Sequence, residues 1–447
     1  MAGEIVRSVL AGRAAARTAV DRAGQALSPR DTALLTELVY GAVRHAATLD
    51  HLLGRCARRG LGNVDEELLA HLRVGAYQLL FTRVPAAVAV SEAVEAAGRQ
   101  AHLRGFVNGV LRGLERKVAA RRDEGPPPDA PWTRRLPGRG VGWIVLSEPL
   151  LPDAELDPAA WLAVAASLPR AHAAALVERL GLEPALEVAR GHNAPPPLFL
   201  RANLLRTTRD ALLAELGEAG LAASATSLPE AVRVDGAAGA ALAWVRAGAA
   251  TVQDLTAQGV GRLLAPEPGE RVVDLCAAPG GKATHLAELM EDRGTVEAID
   301  IDPDRLARVR DAAARLGLTS VRASLADAED PRPPDDPRPI DRALVDVPCS
   351  NTGVLRRRVE VRWRLAALDR PALLRLQARL LDRAAALVRP GGVVVYSTCA
   401  IDPDENEDQV AAFLARAGEF RLEDQASALP SMGGGDGGYA ARLRRGP

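Results

Sequence analysis

The sequence contains few cysteines, aromatic residues and lysines for its 447 residues, and each shortage excludes a class of protein. The four cysteines lie far apart and form no CxxC pair, which argues against a disulfide framework and a zinc site and predicts reduced thiols. Aromatic residues make up 3% of the chain, so an exposed stacking platform for bases is not expected. No run of about 18 apolar residues indicates a membrane span, and the N-terminus lacks the apolar core of a signal peptide. We therefore expect a cytoplasmic protein without a metal site or membrane contact.

Positive charge is unevenly distributed, although the net charge of the chain is only −1. Residues 1–122 contain 18 Lys and Arg against 11 Asp and Glu, an excess of seven positive charges. This excess fits a polyanionic partner such as RNA, and it fits a solvated basic face equally well. Lysine occurs only at Lys117 and Lys282. Because Lys282 lies in a glycine-rich loop of a chain with so few lysines, we expect its side chain to be functional. The alternative is a lysine at the start of a helix that extends into solvent.

The central motif is VVDLCAAPGGKATHL, residues 272–286, in which an apolar run leads into a small-residue turn and then into helix-forming residues. This order predicts a strand, a tight glycine turn and a helix, a geometry that lets backbone N–H groups approach a polar ligand. The next apolar run ends in Asp300, 20 residues after Gly280. An acid at this position can accept hydrogen bonds from both ribose hydroxyls of a nucleoside cofactor.

Strand and helix patterns alternate through the remainder of the chain, which predicts a parallel, doubly wound α/β sheet. The residues that follow each strand of such a sheet gather along one edge. The side chains expected there, with the glycine loop, are Asp300, Asp327, Asp346, Cys349 and Cys399.

Two thiols and a carboxylate beside a nucleoside site fit one reaction in particular, methylation at carbon 5 of cytosine. A thiolate that adds to carbon 6 makes the ring enamine-like and activates carbon 5 toward an electrophilic methyl group. An acid near ring N3 and a group that removes the carbon 5 proton complete the reaction. Spacing alone does not decide which of the two thiols attacks.

The first part of the chain has a different pattern, with apolar residues at helical spacing. Ser28-Pro29 and Ser91-Glu92 predict helix starts. Further on, a strand followed by a helix is predicted, with Thr207 or Thr208 as the N-cap. The predicted organisation is a helical domain at 1–122, a linker or insertion of unassigned role at 123–169, a small α/β RNA-binding subdomain or connector at 170–245, and a catalytic domain at 246–447. The helical spacing of residues 1–122 alone fits a helical bundle of any purpose.

The motifs resemble, in their order and spacing, those of the RsmB/Sun (Fmu) family of small-subunit rRNA cytosine-C5 methyltransferases. The segments of the catalytic domain that show the likeness are DLCAAPGGK (274–282), AIDIDPDRLARV (298–309), DVPCSNTGVLRRRVEVRWR (346–364), YSTCAIDPDENEDQV (396–410) and GDGGYAARLRR (435–445). The segments 37–53, 72–95 and 105–114 resemble an all-helical RNA-binding domain of the NusB type. The resemblance implies a Rossmann-like, S-adenosylmethionine-dependent methyltransferase sheet of seven strands, whose last strand, near 439–443, is antiparallel.

Carried over by position, the resemblance implies Cys399 as the nucleophile, Cys349 as the thiol that assists proton removal, and Asp346 as the acid near cytosine N3. The residues implied to bind the cofactor S-adenosylmethionine are Cys276, Ala277, Ala278, Pro279, Gly280, Gly281, Lys282, Asp300, Asp327 and Asp346. Asp330 is an alternative to Asp327, because the sequence there departs from the family's Gly-Asp. Arg356, Arg357 and Arg358 are candidates for binding RNA phosphates, with a basic surface run as the alternative.

These observations predict an enzyme that methylates carbon 5 of a cytosine in 16S rRNA, acting as a monomer on free rRNA or on a ribosomal precursor particle. One alternative is the same chemistry on tRNA or on another rRNA site. The other is a non-catalytic RNA-binding or antitermination protein, which the presence of Asp346, Cys349 and Cys399 together disfavours, because a binding protein has no need of two thiols in one cleft.

Overall fold

The computed structural model describes residues 1–236, 238–329 and 339–447, and the chain divides into two compact units. The first unit comprises Met1–Pro195 and Leu355–Leu368, and the second comprises Pro196–Val354 and Asp369–Pro447. The chain therefore returns to the first unit for one short segment. Among the described residues, no helix is both long and apolar enough to span a bilayer.

The first unit is mainly helical, as the apolar spacing predicts. Its helices are α1 (Ala2–Leu10), α2 (Ala16–Gly24), α3 (Pro29–Arg44), α4 (Ala46–Cys56), α5 (Glu66–Phe81), α6 (Ala86–Ala96), α7 (Ala101–Arg116), α8 (Pro158–Ala165), α9 (Arg170–Leu180) and α10 (Leu182–Asn193). Ser28 caps α3 by accepting a hydrogen bond from the Asp31 N–H at 3.2 Å, which confirms the helix start predicted there. The start predicted at Ser91 is wrong, because α6 begins directly after Pro85 and Ser91 lies inside it.

Buried aliphatic side chains of α3, α4, α5 and α7 form much of the core of the helical part. Its members include Val39, Val43, Leu49, Leu52, Leu53, Leu72, Leu80, Leu111 and Leu114. Glycine is required at Gly41, because a Cβ there would lie 1.9 Å from the ring of Tyr77. The Tyr77 hydroxyl donates a 2.8 Å hydrogen bond to Glu37, so the polar end of this buried ring has a partner.

Residues 123–169, predicted as a linker or insertion, contain regular structure. The strands β1 (Val118–Arg122), β2 (Arg135–Pro137) and β3 (Trp143–Leu146) form an antiparallel sheet in the order β1-β3-β2. Trp161 of α8 is fully buried and donates its indole N–H to the Trp132 carbonyl at 2.9 Å. These strands of three to five residues are too short to produce a recognisable period in the sequence.

The returning segment Leu355–Leu368 places a buried arginine in the first unit. The Arg362 side chain has no exposed surface. It donates hydrogen bonds to the carbonyls of Arg44 at 2.9 Å, Ser167 at 3.0 Å and His192 at 3.2 Å, and to Asn193 Oδ1 at 3.0 Å. Burial, and then the nearby Arg44, lower the pKa of Arg362 to about 9, so the side chain remains charged at neutral pH.

The second unit begins with a small βαββαβ domain, as predicted for an α/β subdomain. Its elements are β4 (Leu198–Ala202), α11 (Arg209–Glu218), β5 (Ala222–Ala225), β6 (Ala231–Asp235), α12 (Ala238–Arg246) and β7 (Ala250–Val252). The strands form an antiparallel sheet in the order β5-β6-β4-β7. Thr208, one of the two predicted caps, accepts a hydrogen bond from the Ala211 N–H at 3.2 Å and starts α11.

The remainder of the second unit is a sheet with helices on both faces. Its elements are α13 (Leu255–Leu264), β8 (Arg271–Asp274), α14 (Gly281–Leu289), β9 (Thr295–Asp300), α15 (Pro303–Leu316), β10 (Val321–Leu325), β11 (Ile340–Asp346), α16 (Arg370–Leu387), β12 (Val388–Thr398), α17 (Glu407–Arg416), β13 (Phe420–Ala428) and β14 (Gly438–Arg445). Val272 and Val273 belong to different buried clusters, because successive residues of a strand point to opposite faces.

The described strands of this sheet number seven and follow the order β10-β9-β8-β11-β12-β14-β13. Neighbouring strands are parallel except β14, which is antiparallel to both β12 and β13. The predicted α/β sheet and its antiparallel last strand are therefore confirmed. The chain runs outward from β8 through β9 to β10 before it returns to β11 beside β8, which creates a switch point with a crevice at the carboxyl ends of β8 and β11.

We expect Arg362→Met to lower the free energy of unfolding of the first unit by about 3 kcal/mol or more, because four buried acceptors lose their donor. Urea unfolding followed by tryptophan fluorescence measures this loss, since every tryptophan except Trp244 lies in the first unit. Arg358→Met, at an exposed position of the same segment, is the control and should change stability by less than about 0.5 kcal/mol. Equal losses in the two variants would contradict the role assigned to Arg362.

Candidate active site

The glycine loop, residues 275–280, connects β8 to α14 at the switch point. Gly280 has φ of +101°, and a Cβ on it would lie 3.0 Å from the Val309 Cα, so the position requires glycine. The Ala277 N–H donates to the Ile299 carbonyl at 2.9 Å, which fixes the loop against β9. No side-chain hydrogen bond caps the start of α14, so the first N–H groups of this helix are available to a polar ligand.

Asp300, the predicted ribose-binding acid, is buried at the end of β9. Its carboxylate accepts hydrogen bonds from the N–H groups of Ala278 at 3.1 Å and Asp302 at 3.0 Å, which hold it against the glycine loop. Asp327 follows β10 and is exposed. Asp330, the alternative to Asp327, lies outside the described residues.

Lys282, on the first turn of α14, forms an ion pair with Asp346 at the end of β11. The Lys282 Nζ lies 2.6 Å from Asp346 Oδ2, and the Ser397 hydroxyl donates to Asp346 Oδ1 at 2.6 Å. Burial lowers the pKa of Lys282, but Asp346, with a further contribution from Cys399, more than offsets burial and raises the pKa overall. The Lys282 ammonium is therefore charged at neutral pH and close to Cys399.

The two predicted thiols meet beyond the carboxyl ends of β11 and β12. Asp346 and Ser397 are register partners in these parallel strands, so the residues that follow them emerge side by side. The Sγ atoms of Cys349 and Cys399 are 2.9 Å apart in a thiol hydrogen bond. This hydrogen bond, and then burial, raise the pKa of Cys349 well above its ordinary value. Cys349 therefore keeps its proton at neutral pH.

Asn351 contacts both thiol loops, although nothing in the sequence pattern assigned it a role. Its Nδ2 donates to the Cys349 carbonyl at 2.7 Å, and its Oδ1 lies 3.4 Å from Cys399 Sγ. Its φ of +62° lies in the left-handed region, which asparagine tolerates better than most residues. The position of this asparagine, two residues after Cys349, was the one feature of the sequence from which such a turn could have been predicted.

Glu405 holds in place the turn that contains Pro348 and Cys349, the Pro-Cys turn. Glu405 was not identified from the sequence. Its side chain is fully buried and accepts hydrogen bonds from the Ser350 N–H at 2.9 Å and from Gln377 Nε2 at 2.8 Å. Gln377 Nε2 also donates a hydrogen bond to the Pro348 carbonyl at 2.9 Å. These contacts join α16, the Pro-Cys turn and the segment after Cys399.

Asp274, the last residue of β8, is an unexpected part of the site. Its side chain is 1% exposed, and among the described residues neither carboxylate oxygen has a hydrogen-bond partner. Burial, and then the nearby Asp346, raise the pKa of Asp274 to about 7. Burial, and then Asp274, also raise the pKa of Cys276, so Cys276 remains an unreactive thiol within the loop.

Arg356, Arg357 and Arg358 belong to the segment that folds into the first unit. Arg356 is fully buried, Arg357 is half-buried and Arg358 is exposed. Because the Arg356 side chain is fully buried, it is not available to RNA phosphates, which corrects the expectation that all three arginines contact RNA. Arg357 and Arg358 remain candidates.

The sheet and its site define a class of protein. A seven-stranded sheet with an antiparallel last strand, a glycine loop at the switch point and an acid after the next strand form a Rossmann-like methyltransferase domain. Across residues 1–236, 238–329 and 339–447, no three His, Cys, Asp or Glu side chains are grouped to hold a metal ion. Residues 261–438 match the 16S rRNA methyltransferase RsmB/F family, residues 2–116 match the NusB family, and residues 169–240 match the ferredoxin-like domain of RsmF/B-like methyltransferases.

Similar proteins extend these matches to nearly the whole chain. Ribosomal RNA small subunit methyltransferase B of Klebsiella pneumoniae subsp. pneumoniae is 35% identical over 435 residues, which cover 94% of this chain and 91% of that protein. The crystal structure of PH0851 has a TM-score of 0.74 at 24% identity and covers 99% of this chain and 97% of that one. A methyltransferase homologue from Pyrococcus horikoshii has a TM-score of 0.57 at 24% identity, covering 66% of this chain and 100% of that one. The two structures show the shared fold, and the Klebsiella relative shows the family: the chain belongs to the RsmB/F family of 16S rRNA methyltransferases.

Asp274→Asn tests whether this buried carboxyl is neutral in the folded protein. A carboxyl pKa raised by folding contributes stability that is fully present below the unfolded-state pKa and is lost as pH rises through about 7. We therefore expect the variant to gain stability relative to the wild type between pH 5 and pH 7, by up to about 1.4 kcal/mol per pH unit. Urea unfolding at several pH values measures the difference.

The control for this measurement is Asp304→Asn, which changes an exposed carboxyl on α15. Its stability relative to the wild type should stay nearly constant over the same pH range. A constant difference for Asp274→Asn as well would show that Asp274 is ionised in the folded protein.

Proposed function

We propose that this chain transfers a methyl group from S-adenosylmethionine to carbon 5 of a cytosine in 16S rRNA, through a covalent bond between Cys399 and carbon 6 of the base. The observation that supports this best is the pair of thiols with Sγ atoms 2.9 Å apart, beside the ion pair of Lys282 and Asp346. The substrate class follows from family membership and from relatives whose names refer to the small ribosomal subunit.

The residues at the switch point fit S-adenosylmethionine, which supplies an electrophilic methyl group when bound. Gly280, with φ of +101°, allows the tight turn between β8 and α14 that leaves the first N–H groups of the helix available to a polar ligand. The buried carboxyl oxygens of Asp274 have no hydrogen-bond partner among the described residues, so they are available to a polar group of the ligand. Residues 276–282 would hold the cofactor, with Asp300 at the ribose, Asp327 near the adenine and Asp346 near the methionine end.

In the first step, Cys399 attacks as a thiolate. Its sulfur forms a bond to carbon 6 of cytosine, and the electron pair of the C5–C6 double bond moves toward carbon 5 and the N3 side of the ring. The Lys282 ammonium interacts electrostatically with Cys399, the sulfur that attacks. Asp346, which Lys282 and Ser397 hold in place, takes up a proton from solvent and donates it to N3, which neutralises the charge that develops there.

In the last step, the carbon 5 proton is removed after the methyl group has been transferred. A Cys399 sulfur bonded to carbon 6 is a thioether, which is a poorer hydrogen-bond acceptor than a thiolate, so the largest cause of the raised Cys349 pKa is weakened. Cys349 can then release its own proton to solvent and take the one at carbon 5. The electrons of the C5–H bond restore the C5–C6 double bond, and Cys399 leaves as a thiolate.

Unstacking of the target base and contacts to RNA phosphates complete the proposed function. A cytosine in structured RNA is unstacked to reach the crevice. The excess positive charge of residues 1–122, with Arg357 and Arg358, supplies phosphate contacts. The chain acts as a monomer in the cytoplasm, on free 16S rRNA or on a ribosomal precursor particle.

The test is incubation with labelled S-adenosylmethionine and protein-free 16S rRNA, followed by bisulfite sequencing. One new 5-methylcytosine in 16S rRNA is the expected result. Methylation of tRNA or 23S rRNA, with 16S rRNA unmodified, would show that the substrate is a different RNA. If every free RNA is inert, a partial small-subunit particle is the next substrate, and inactivity on that particle would overturn the proposal.

We expect Cys399→Ala to lose at least about a thousandfold in methyl transfer, because the attacking atom is gone. Cys349→Ala should still attack but release product slowly, so it should accumulate a protein–RNA adduct that survives a denaturing gel. Cys56→Ala changes a thiol of the first unit and serves as the control, with activity close to the wild type. An adduct that accumulates in Cys399→Ala, and not in Cys349→Ala, would reverse the roles of the two thiols.

A further inference from the structure

A fully buried arginine of the small βαββαβ domain binds the start of the helix that follows the glycine loop. Arg201, on β4, donates its Nε–H to Glu288 Oε2 at 3.1 Å and an Nη2–H to Glu288 Oε1 at 2.9 Å. A further Nη2–H donates to Thr284 Oγ1 at 3.1 Å, and Nη1 donates to the Gly281 carbonyl at 2.7 Å and to Gln253 Oε1. Neither Arg201 nor Glu288 has any exposed side-chain surface.

The contact with the Gly281 carbonyl distinguishes Arg201 from an ordinary buried ion pair. Gly281 is the first residue of α14, immediately after the glycine loop and immediately before Lys282. The planar guanidinium reaches from Glu288, near the end of α14, to the carbonyl at its start, which a lysine or an apolar pair cannot do. Because a buried ion pair contributes little net stability, stability alone does not account for this arrangement.

A second buried link joins the same domain to the same helix. Glu230, which precedes β6, lies 2.9 Å from His285 Nε2 and accepts a 2.6 Å hydrogen bond from Arg262. Burial, and then Arg201, lower the pKa of His285 to about 4, so its ring is neutral at pH 7 and its Nε2–H donates to the carboxylate. Two adjacent turns of α14 are therefore attached to the small domain.

We propose that Arg201 is a positioning residue for the methyl donor: by holding Gly281 and Glu288, it fixes the turn of the glycine loop and couples the small domain to binding of S-adenosylmethionine. This inference rests on the proposed use of that donor. It gives the small domain a role in the chemistry of the site in addition to any contact it makes with RNA.

The test compares Arg201→Met with the double variant R201M/E288L. Arg201→Met leaves Glu288 buried without its partner and should lower both the Tm and the affinity for S-adenosylmethionine. The double variant replaces the ion pair with an apolar pair and should regain most of the Tm. Since neither variant can hold the Gly281 carbonyl, the Kd for S-adenosylmethionine, measured by titration calorimetry, should stay raised about tenfold or more in both.

Steady-state kinetics separate positioning from a general loss of fold. The KM for S-adenosylmethionine should rise with the Kd, while kcat and the KM for rRNA change by much smaller factors. Arg201→Lys keeps the positive charge but lacks the planar guanidinium, so it should give an intermediate Kd. This variant still tests the inference if the other two fold poorly.

The matched control is Arg342→Met. Arg342 on β11 forms a largely buried ion pair with Glu270, at 2.6 Å, near the amino ends of β8 and β11 and so at the opposite edge of the sheet from the glycine loop. Its loss should lower the Tm and leave the Kd for S-adenosylmethionine unchanged. Recovery of the Kd in the double variant, or an equal rise in Kd in Arg342→Met, would overturn the inference. A wild-type protein that binds no S-adenosylmethionine would instead overturn the proposed function.

Discussion

The ion pair between Lys282 and Asp346 is the interaction on which the arrangement of the site depends. It joins the helix behind the glycine loop to the end of β11, and the hydrogen bond from Ser397 extends the connection to β12. Parallel strand pairing aligns the backbones of these strands but does not determine where charge lies beyond their ends. The ion pair does so, because it places one carboxylate and one ammonium close to Cys399.

Strand ends account for most of what the sequence could predict. Asp300, Asp346, Cys349 and Cys399 could be grouped because a parallel sheet brings residues that follow different strands to one edge. Glu405 could not be assigned a role, since its partners Ser350 and Gln377 are 55 and 28 residues away in the chain. The run of three arginines predicted either phosphate contacts or a basic surface run, and only the long-range path of the chain shows that Arg356 is buried. The chemical roles of the two thiols and the domain boundaries stay predictions.

The scarcity of lysine has a structural counterpart in the way buried cations are used. Arg201, Arg342 and Arg362 each donate several hydrogen bonds to acceptors that are distant from the arginine in the sequence. A guanidinium has five donors in a fixed plane and can therefore connect several elements at once, whereas an ammonium is a compact point charge on a flexible stem. Lys282 stands where such a point charge is useful, close to a carboxylate and a sulfur.

The path of Leu355–Leu368 has a consequence for how this protein can be divided. The chain passes from the Pro-Cys turn directly into the first unit and then returns to begin α16. A gene fragment that encoded Pro196 onward would include Arg362 but none of its acceptors on Arg44, Ser167, His192 and Asn193. A simple recombination event at Pro195 would therefore not yield two self-sufficient modules.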